Sequence, residues 1–281
     1  MKKFFAFLSI ITLLSVSCNK EDIKQSISSE PEEIVLTVDG SGIEADVVTR
    51  VTAQSSVPSS LYFAGTTGTS TQTSKWAPSD TKKTVSSGKI STGYYQTATP
   101  TAYNYYLSNA KMTFTSSGCT VSADGTSTDV IVGVAKASTS TTPSVAMTHI
   151  FGRTGSISGS CSGYSISNLS VTIKSNSGAG YKGTYNIYTG TWSSVTSLSS
   201  TTLTSSSDLY LVPGSYTITA SATRTKGDYV GTVSGSTSVT LSAGKIHDIA
   251  IVFTGDPAQP INISVSLAAW STTTVTGTIA G

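Results

Sequence analysis

Ile261-Asn262-Ile263-Ser264-Val265-Ser266-Leu267 places an apolar side chain at every second residue and a polar one between each pair. That strict period of two marks a β-strand with one buried and one wet face. Outward from it, the alternation recurs at Leu169, Val171 and Ile173 and at Tyr216, Ile218 and Ala220. Just upstream, Ile246 to Phe253 is apolar at successive positions across Ile249-Ala250-Ile251-Val252-Phe253, which predicts a strand covered on both faces, deep in a sandwich. Turn chemistry separates the runs: Val38-Asp39-Gly40, Asp124-Gly125, Pro213-Gly214, Lys226-Gly227-Asp228 and Ala243-Gly244-Lys245. From Val51 onward no extended stretch carries Ala, Leu, Glu and Lys at helical spacing, while Val, Ile, Thr and Tyr recur in short runs. The expected class is all-β, with two tandem β-sandwich domains of the Ig-like, seven-stranded size.

The division is expected between residues 34–150 and residues 151–281. Ser138 to Pro143, a low-complexity Ser/Thr stretch, and Gly152 to Gly163, rich in glycine, flank that point. In the alternative reading, Val145 to Ile157 closes the first sandwich before the chain enters the second. Ahead of both domains, Met1-Lys2-Lys3 and the apolar run Phe4 to Leu14 read as a signal peptide over residues 1–17, too short to serve as a spanning anchor. Leu14-Ser15-Val16-Ser17-Cys18 supplies the small residues and cysteine that lipoprotein processing needs, so Cys18 is the expected lipidation site. The competing reading is a plain secretory signal with an incidental cysteine. Residues 18–33 then form a polar tether.

Charge is uneven along the chain. Residues 18–50 hold three basic and eight acidic side chains, whereas everything after Arg50 is net basic and contains no glutamate. The lysines are scattered among hydroxyl residues and form no stripe, which argues against a nucleic-acid surface. Apart from Cys18 the thiols are Cys119 and Cys161, which can pair in an oxidising compartment or stand as two buried thiols.

Little in the chain suggests catalysis. The acids after Arg50 are seven aspartates, and the histidines are His149 and His247. Most of the aspartates lie beside Gly, Ser or Thr, where a hydrogen bond to the backbone of a turn explains them. His149 on its apolar run reads as a packed core or interface residue, and His247-Asp248 are strand neighbours that point to opposite faces. Gly159-Ser160-Cys161-Ser162-Gly163 has the outline of a nucleophile elbow, but a strand and not a helix is expected after it. No metal-ligand spacing and no phosphate-binding glycine loop is present, so neither metal nor cofactor is expected. Tyr94-Tyr95 and Tyr103 to Tyr106 could form a glycan-stacking platform, although core or cross-strand packing accounts for them too.

Several segments, in order, resemble fimbrillin-like proteins. These are Trp76-Ala77-Pro78, Tyr103-Asn104-Tyr105-Tyr106-Leu107, Thr128-Asp129-Val130-Ile131-Val132-Gly133, and Met147-Thr148-His149-Ile150-Phe151-Gly152-Arg153. Leu211-Val212-Pro213-Gly214-Ser215-Tyr216, Ala243-Gly244-Lys245 and Ile263-Ser264-Val265 through Trp270 are similar to that family's second domain. The resemblance implies a type V pilus subunit: two transthyretin-like sandwiches, export as an outer-membrane lipoprotein, and removal of an N-terminal strand by a surface protease that cuts after arginine. Here Ile34-Val35-Leu36-Thr37-Val38 is a plausible strand. Arg50 and Val51 offer the matching bond, which would make residues 34–50 a removable leader; otherwise Arg50 is an ordinary solvated arginine. Arg153 is a weaker site, beside an apolar run.

Removing a strand from a sandwich exposes apolar side chains and unpaired N–H and C=O groups, and a neighbour's strand can fill that gap. The resemblance implies a donor near the C-terminus. Ile261, Ile263, Val265 and Leu267 supply one candidate and Val275 and Ile279 another, with residence in the second domain as the alternative. Head-to-tail donation does not close on itself, so the partners implied are other fimbrial subunits in a filament, with the membrane held through the lipid. The competing function is a monomeric surface lipoprotein that binds glycan or host protein.

Overall fold

The computed structural model describes residues 32–43, 56–67, 75–77, 81–96, 101–115, 118–204, 209–253, 262–269 and 274–275. These residues form strands and no helix. In chain order they are β1 (Glu32–Asp39), β2 (Ser60–Thr67), β3 (Lys75–Ala77), β4 (Lys82–Thr84), β5 (Lys89–Gln96), β6 (Tyr103–Ser108), β7 (Met112–Thr115), β8 (Gly118–Asp124), β9 (Ile131–Ser138) and β10 (Ser144–His149). There follow β11 (Gly152–Cys161), β12 (Ser165–Ser175), β13 (Lys182–Asn186), β14 (Thr191–Thr196), β15 (Thr201–Leu203), β16 (Tyr210–Leu211), β17 (Gly214–Lys226), β18 (Tyr229–Leu241), β19 (Lys245–Phe253), β20 (Asn262–Ala269) and β21 (Thr274–Val275). The all-β expectation holds.

The largest sheet runs β3-β2-β6-β9-β10-β1-β5, with β4 on β2. It wraps around its own core. Ile34, Leu36, Val38, Leu61, Phe63, Ile90, Tyr105, Leu107, Ile131, Val145 and Met147 come from six strands of that one sheet, yet they pack into a single cluster. The other face of β2, β6 and β9 presents Ala64, Tyr106 and Val132 to a second core. A four-stranded sheet, β14-β13-β8-β7, covers this core through Met112, Cys119, Val121 and Trp192.

The third core lies between the sheets β16-β11-β19-β20-β21 and β15-β12-β17-β18. Ile173, Tyr216, Ile218, Leu241, Ile249, Ile251 and Phe253 fill it. Tyr216 is fully buried, and its hydroxyl sits between the carbonyls of Val212 at 2.6 Å and Gly180 at 2.7 Å while accepting the Gly180 N–H at 3.0 Å. Burial pushes its phenol well above the usual range. One side chain thereby ties β17 to two connecting segments.

Three sequence expectations are corrected. Ser138 to Pro143 is no interdomain linker: it turns β9 into β10, which pair antiparallel inside the first sheet. Ser/Thr-rich composition suits a hairpin turn as well as a linker. The chain instead passes from β10 to β11 through Ile150 and Phe151, both buried in the second core with Tyr210 and Val212. Nor is 150/151 a clean division, because β13 pairs antiparallel with β8 along Lys182 to Asn186. Finally, β19 is central in its sheet, between β11 and β20, but only one face is buried, and Val252 is 41% exposed.

Candidate functional site

The first strand is the feature with the clearest functional geometry. Along β1 the burial alternates without a break: Ile34, Leu36 and Val38 are buried, and Val35 and Thr37 face the other side. β1 is bonded along both edges. It runs parallel to β10, with Thr37 opposite Ser144 and Asp39 opposite Ala146, and antiparallel to β5, with Leu36 opposite Ile90. The N–H of Val35 donates to the Thr141 carbonyl at 2.8 Å, that of Thr37 to Pro143 at 2.9 Å, and that of Val38 to Gly88 at 2.8 Å.

Side chains add to the hold. Thr92 Oγ1 donates to the Ile34 carbonyl at 2.7 Å inside the protein. The Glu33 carboxylate accepts the Ser91 hydroxyl and, at 2.9 Å, the Gly93 N–H, and these bonds lower its pKa. At the start of the strand, Ile34 joins Thr67, Tyr94, Tyr95 and Tyr103 around a cleft of about 170 Å³ at the mouth of the core.

After β1 a tight turn, Gly40 to Ile43, crosses the end of the sheet, and Ile43 is fully buried. A Cβ on Gly42 would stand 2.5 Å from the Met147 carbonyl oxygen, so only glycine lets this turn approach β10 so closely. Beneath it lies a buried hydrogen bond between a histidine and an aspartate. His149 Nδ1 is 2.7 Å from Asp129 Oδ2, with side-chain exposures of 0% and 1%, and His149 Nε2 is 3.4 Å from the Ile43 carbonyl. Asn109 holds the loop that carries the acid, donating to the Asp129 carbonyl at 2.9 Å and accepting the Ile131 N–H at 2.9 Å.

The expected strand Ile34 to Val38 is thus present, two residues longer at its start, and His149 is a packed core residue. Its pairing with Asp129 was not foreseen, because the two are separated by 20 positions with no periodic relation. Cys18, Arg50, Val51, Ile261 and Ile279 lie outside the described residues. Ile263, Val265 and Leu267 fall in β20, which pairs antiparallel with β19 of the same chain, opposite Ile251, Ile249 and His247. Val275 falls in β21, paired with β20 at Leu267.

Cys119 and Cys161 are buried thiols in different cores, and no disulfide joins them, which corrects the pairing alternative. Cys161 ends β11 and β12 follows it in another sheet, so the elbow-like glycine sequence is a tight turn between two strands. The glycan platform is also reduced. Tyr105 and Tyr106 are fully buried with phenols pushed up to about 12, while Tyr95 is 60% exposed.

His247 is fully buried and bonded only to backbone: Nε2 accepts the Ser242 N–H at 3.0 Å and Nδ1 faces the Arg153 carbonyl at 3.2 Å. That arrangement needs a neutral ring with its proton on Nδ1. Burial accordingly lowers its pKa. Among the described residues no group of three or more His, Cys, Asp or Glu side chains could hold a metal.

No family model matches the chain, and no curated protein matches it. Solved structures do. A candidate cell adhesion protein from Parabacteroides distasonis aligns over 86% of this chain and 98% of its own, at 12% identity and a TM-score of 0.55. Another from Bacteroides uniformis covers 85% and 98%, at 11% identity and a TM-score of 0.51. A fimbrilin from Porphyromonas gingivalis covers 87% and 99%, at 8% identity and a TM-score of 0.47. What this chain shares with the first two is a fold, along nearly their whole length.

Proposed function

We propose that this protein is a non-enzymatic subunit of a bacterial surface fibre, a fimbrillin-like pilin or accessory component, in which β1 holds the place of a strand that a neighbouring subunit later supplies. The observation that carries this reading is the position of β1. It is bonded on both edges and contributes Ile34, Leu36 and Val38 to the core, yet it reaches the rest of the chain only through the segment that contains Arg50. Cleavage between Arg50 and Val51 would detach it, leaving an apolar trough with unpaired main-chain groups on β10 and β5, which a donated strand restores. The adhesion proteins that share the fold support a surface role.

In this reading the chain is exported as an outer-membrane lipoprotein through Cys18, its partners are other fimbrial subunits, and the product is a head-to-tail filament. The donor in this reading is the C-terminal region, where β20 and the two-residue edge strand β21 close one side of their sheet. A second reading, a monomeric glycan-binding lipoprotein, is favoured by one feature: exposed Tyr95 at the cleft it shares with Tyr94 and Tyr103.

Brief digestion of the lipid-free chain with trypsin, mapping of the new N-terminus by mass spectrometry, and electron microscopy separate the two. A first cut before Val51 followed by filaments supports the fibre subunit. A chain that stays intact at that bond, or is cut and remains monomeric, rejects it in favour of the surface-binding protein.

A further inference from the structure

An unprotected sheet edge lies on β18, in a different sheet from β1. Its residues Tyr229–Leu241 bond to β17 through thirteen consecutive register pairs without a bulge, and no described strand bonds to its other side. Other terminal strands are short, such as β3 with three residues, β7 with four and β21 with two. The eight-residue edge of β5 carries Lys89 and a positive-φ glycine, Gly93 (φ 73°). β18 has none of the usual protection, for it contains no charged residue and no proline.

The hydrogen-bond phase of this edge follows from its hairpin. Lys226 opposite Tyr229 closes a two-residue turn, so that pair exchanges both main-chain bonds and the pattern then alternates. Val230, Thr232, Ser234, Ser236, Ser238 and Thr240 therefore direct their N–H and C=O groups away from β17, toward the open side. The same six residues have exposed side chains on the outer face.

The sequence along the edge is nearly symmetric about Gly235. Ser234 mirrors Ser236, Val233 mirrors Thr237, and Thr232 mirrors Ser238. An antiparallel pairing of two copies about a two-fold axis at Gly235 overlaps all of β18. It also sets each outward-bonding residue opposite another: Val230 against Thr240, Thr232 against Ser238, Ser234 against Ser236. Main-chain phase thus permits the full-overlap register, which forms about a dozen new hydrogen bonds. Hydroxyl side chains meet across the outer face, no like charges are opposed, and glycine leaves the axis clear.

We propose that β18 of one copy pairs with β18 of a second copy in this register, joining two four-stranded sheets into one of eight. Such a contact is isologous and closes at two subunits. It is lateral, and it requires neither the cut at Arg50 nor strand donation.

The test uses the lipid-free chain from Asn19 onward with Arg50→Ala, so that β1 stays in place. Sedimentation velocity across micromolar concentrations should show a reversible dimer. Ser236→Pro removes an outward N–H without touching the bonds to β17, and should weaken dimerisation about tenfold or more with little change in unfolding temperature. Ser234→Lys, which brings two ammonium groups together as diagonal neighbours across the axis, should do the same and decides the matter should the proline variant fail to fold. A chain that is monomeric throughout, or a dimer indifferent to the substitutions that fold, overturns the proposal. So does slow hydrogen exchange of Thr232, Ser234, Ser236 and Ser238 amides that persists in the dilute monomer, since a segment of the same chain would then occupy the edge.

Discussion

The sheets that hold β1 and β11 contain opening strands that share a plan and differ in attachment. β1 runs parallel to β10, and β11 runs parallel to β19. Each partner strand carries one of the chain's two histidines, and each histidine meets a main-chain carbonyl of the opening segment: His149 that of Ile43 and His247 that of Arg153. The difference is covalent and electrostatic. β11 is fixed at both ends, by the two-residue step from β10 and the short turn into β12. β1 leads into a longer segment, and its histidine is backed by a buried carboxylate where His247 has only backbone partners. On the proposed reading, an opening strand is separable in one sheet and permanent in the other without any change of pairing.

The sharpest way to break this comparison is to cut both connections. Cleavage after Arg50 should let residues 32–39 leave on gel filtration, whereas a protease site placed at Ser162-Gly163 should yield two fragments that stay together. Co-elution of the β1 fragment under non-denaturing conditions, with no partner able to displace it, would show the two strands to be equally fixed.

Removing one member of the buried pair comes next in size. His149→Ala leaves the Asp129 side chain buried without its hydrogen-bond partner and opens a cavity, and should cost about 3 kcal/mol or more in chemical denaturation. A loss below about 1 kcal/mol would mean the pair contributes little.

The apolar contributions of the two strands can be compared directly. Leu36→Ala, at a fully buried site of β1, should cost about 3 kcal/mol, and Ile157→Ala, partly buried on β11, about 1 kcal/mol. Equal losses would mean that β1 is anchored by its main chain and not by its side chains.

The smallest expected effect is a pH dependence. Folding lowers the pKa of His247 from its ordinary 6.5, so the unfolded chain takes up the proton first. The stability that depends on the neutral ring is complete above about pH 6.5 and is lost as pH falls below it, by at most about 1.4 kcal/mol per pH unit. His247→Leu should flatten that slope. The lowered carboxylates of Glu33, Asp39 and Asp124 act in a separate window, holding above the ordinary carboxylate range and failing only as pH drops through it.

Much of this was legible in the sequence, because alternation is a local signal. Ile34, Leu36 and Val38 announce β1, and Tyr216, Ile218 and Ala220 announce β17, since every second residue must face one core. What depends on distant packing was hidden. Nothing local to Asp129 distinguishes it from the turn aspartates that bond their own backbone, as Asp124 does through Thr126. The apolar run in β19 signalled a strand but not how many of its faces are covered, because Ala250 and Val252 are tolerated on a face left partly open. Two cysteines in separate cores look the same in sequence as two that could meet.

The order in which the chain is synthesised gives the β1–β10 pairing a further consequence. β1 is the first of the described strands to emerge, yet Ser144 to Ala146, its parallel partners, arrive about a hundred residues later. Until then Ile34, Leu36 and Val38 have no core to enter, and closing so long a loop is slow. That sheet is therefore completed by its earliest strand docking last, and the strand waits unpaired until β10 has emerged. Folding should pass through an intermediate that a holdase chaperone can bind.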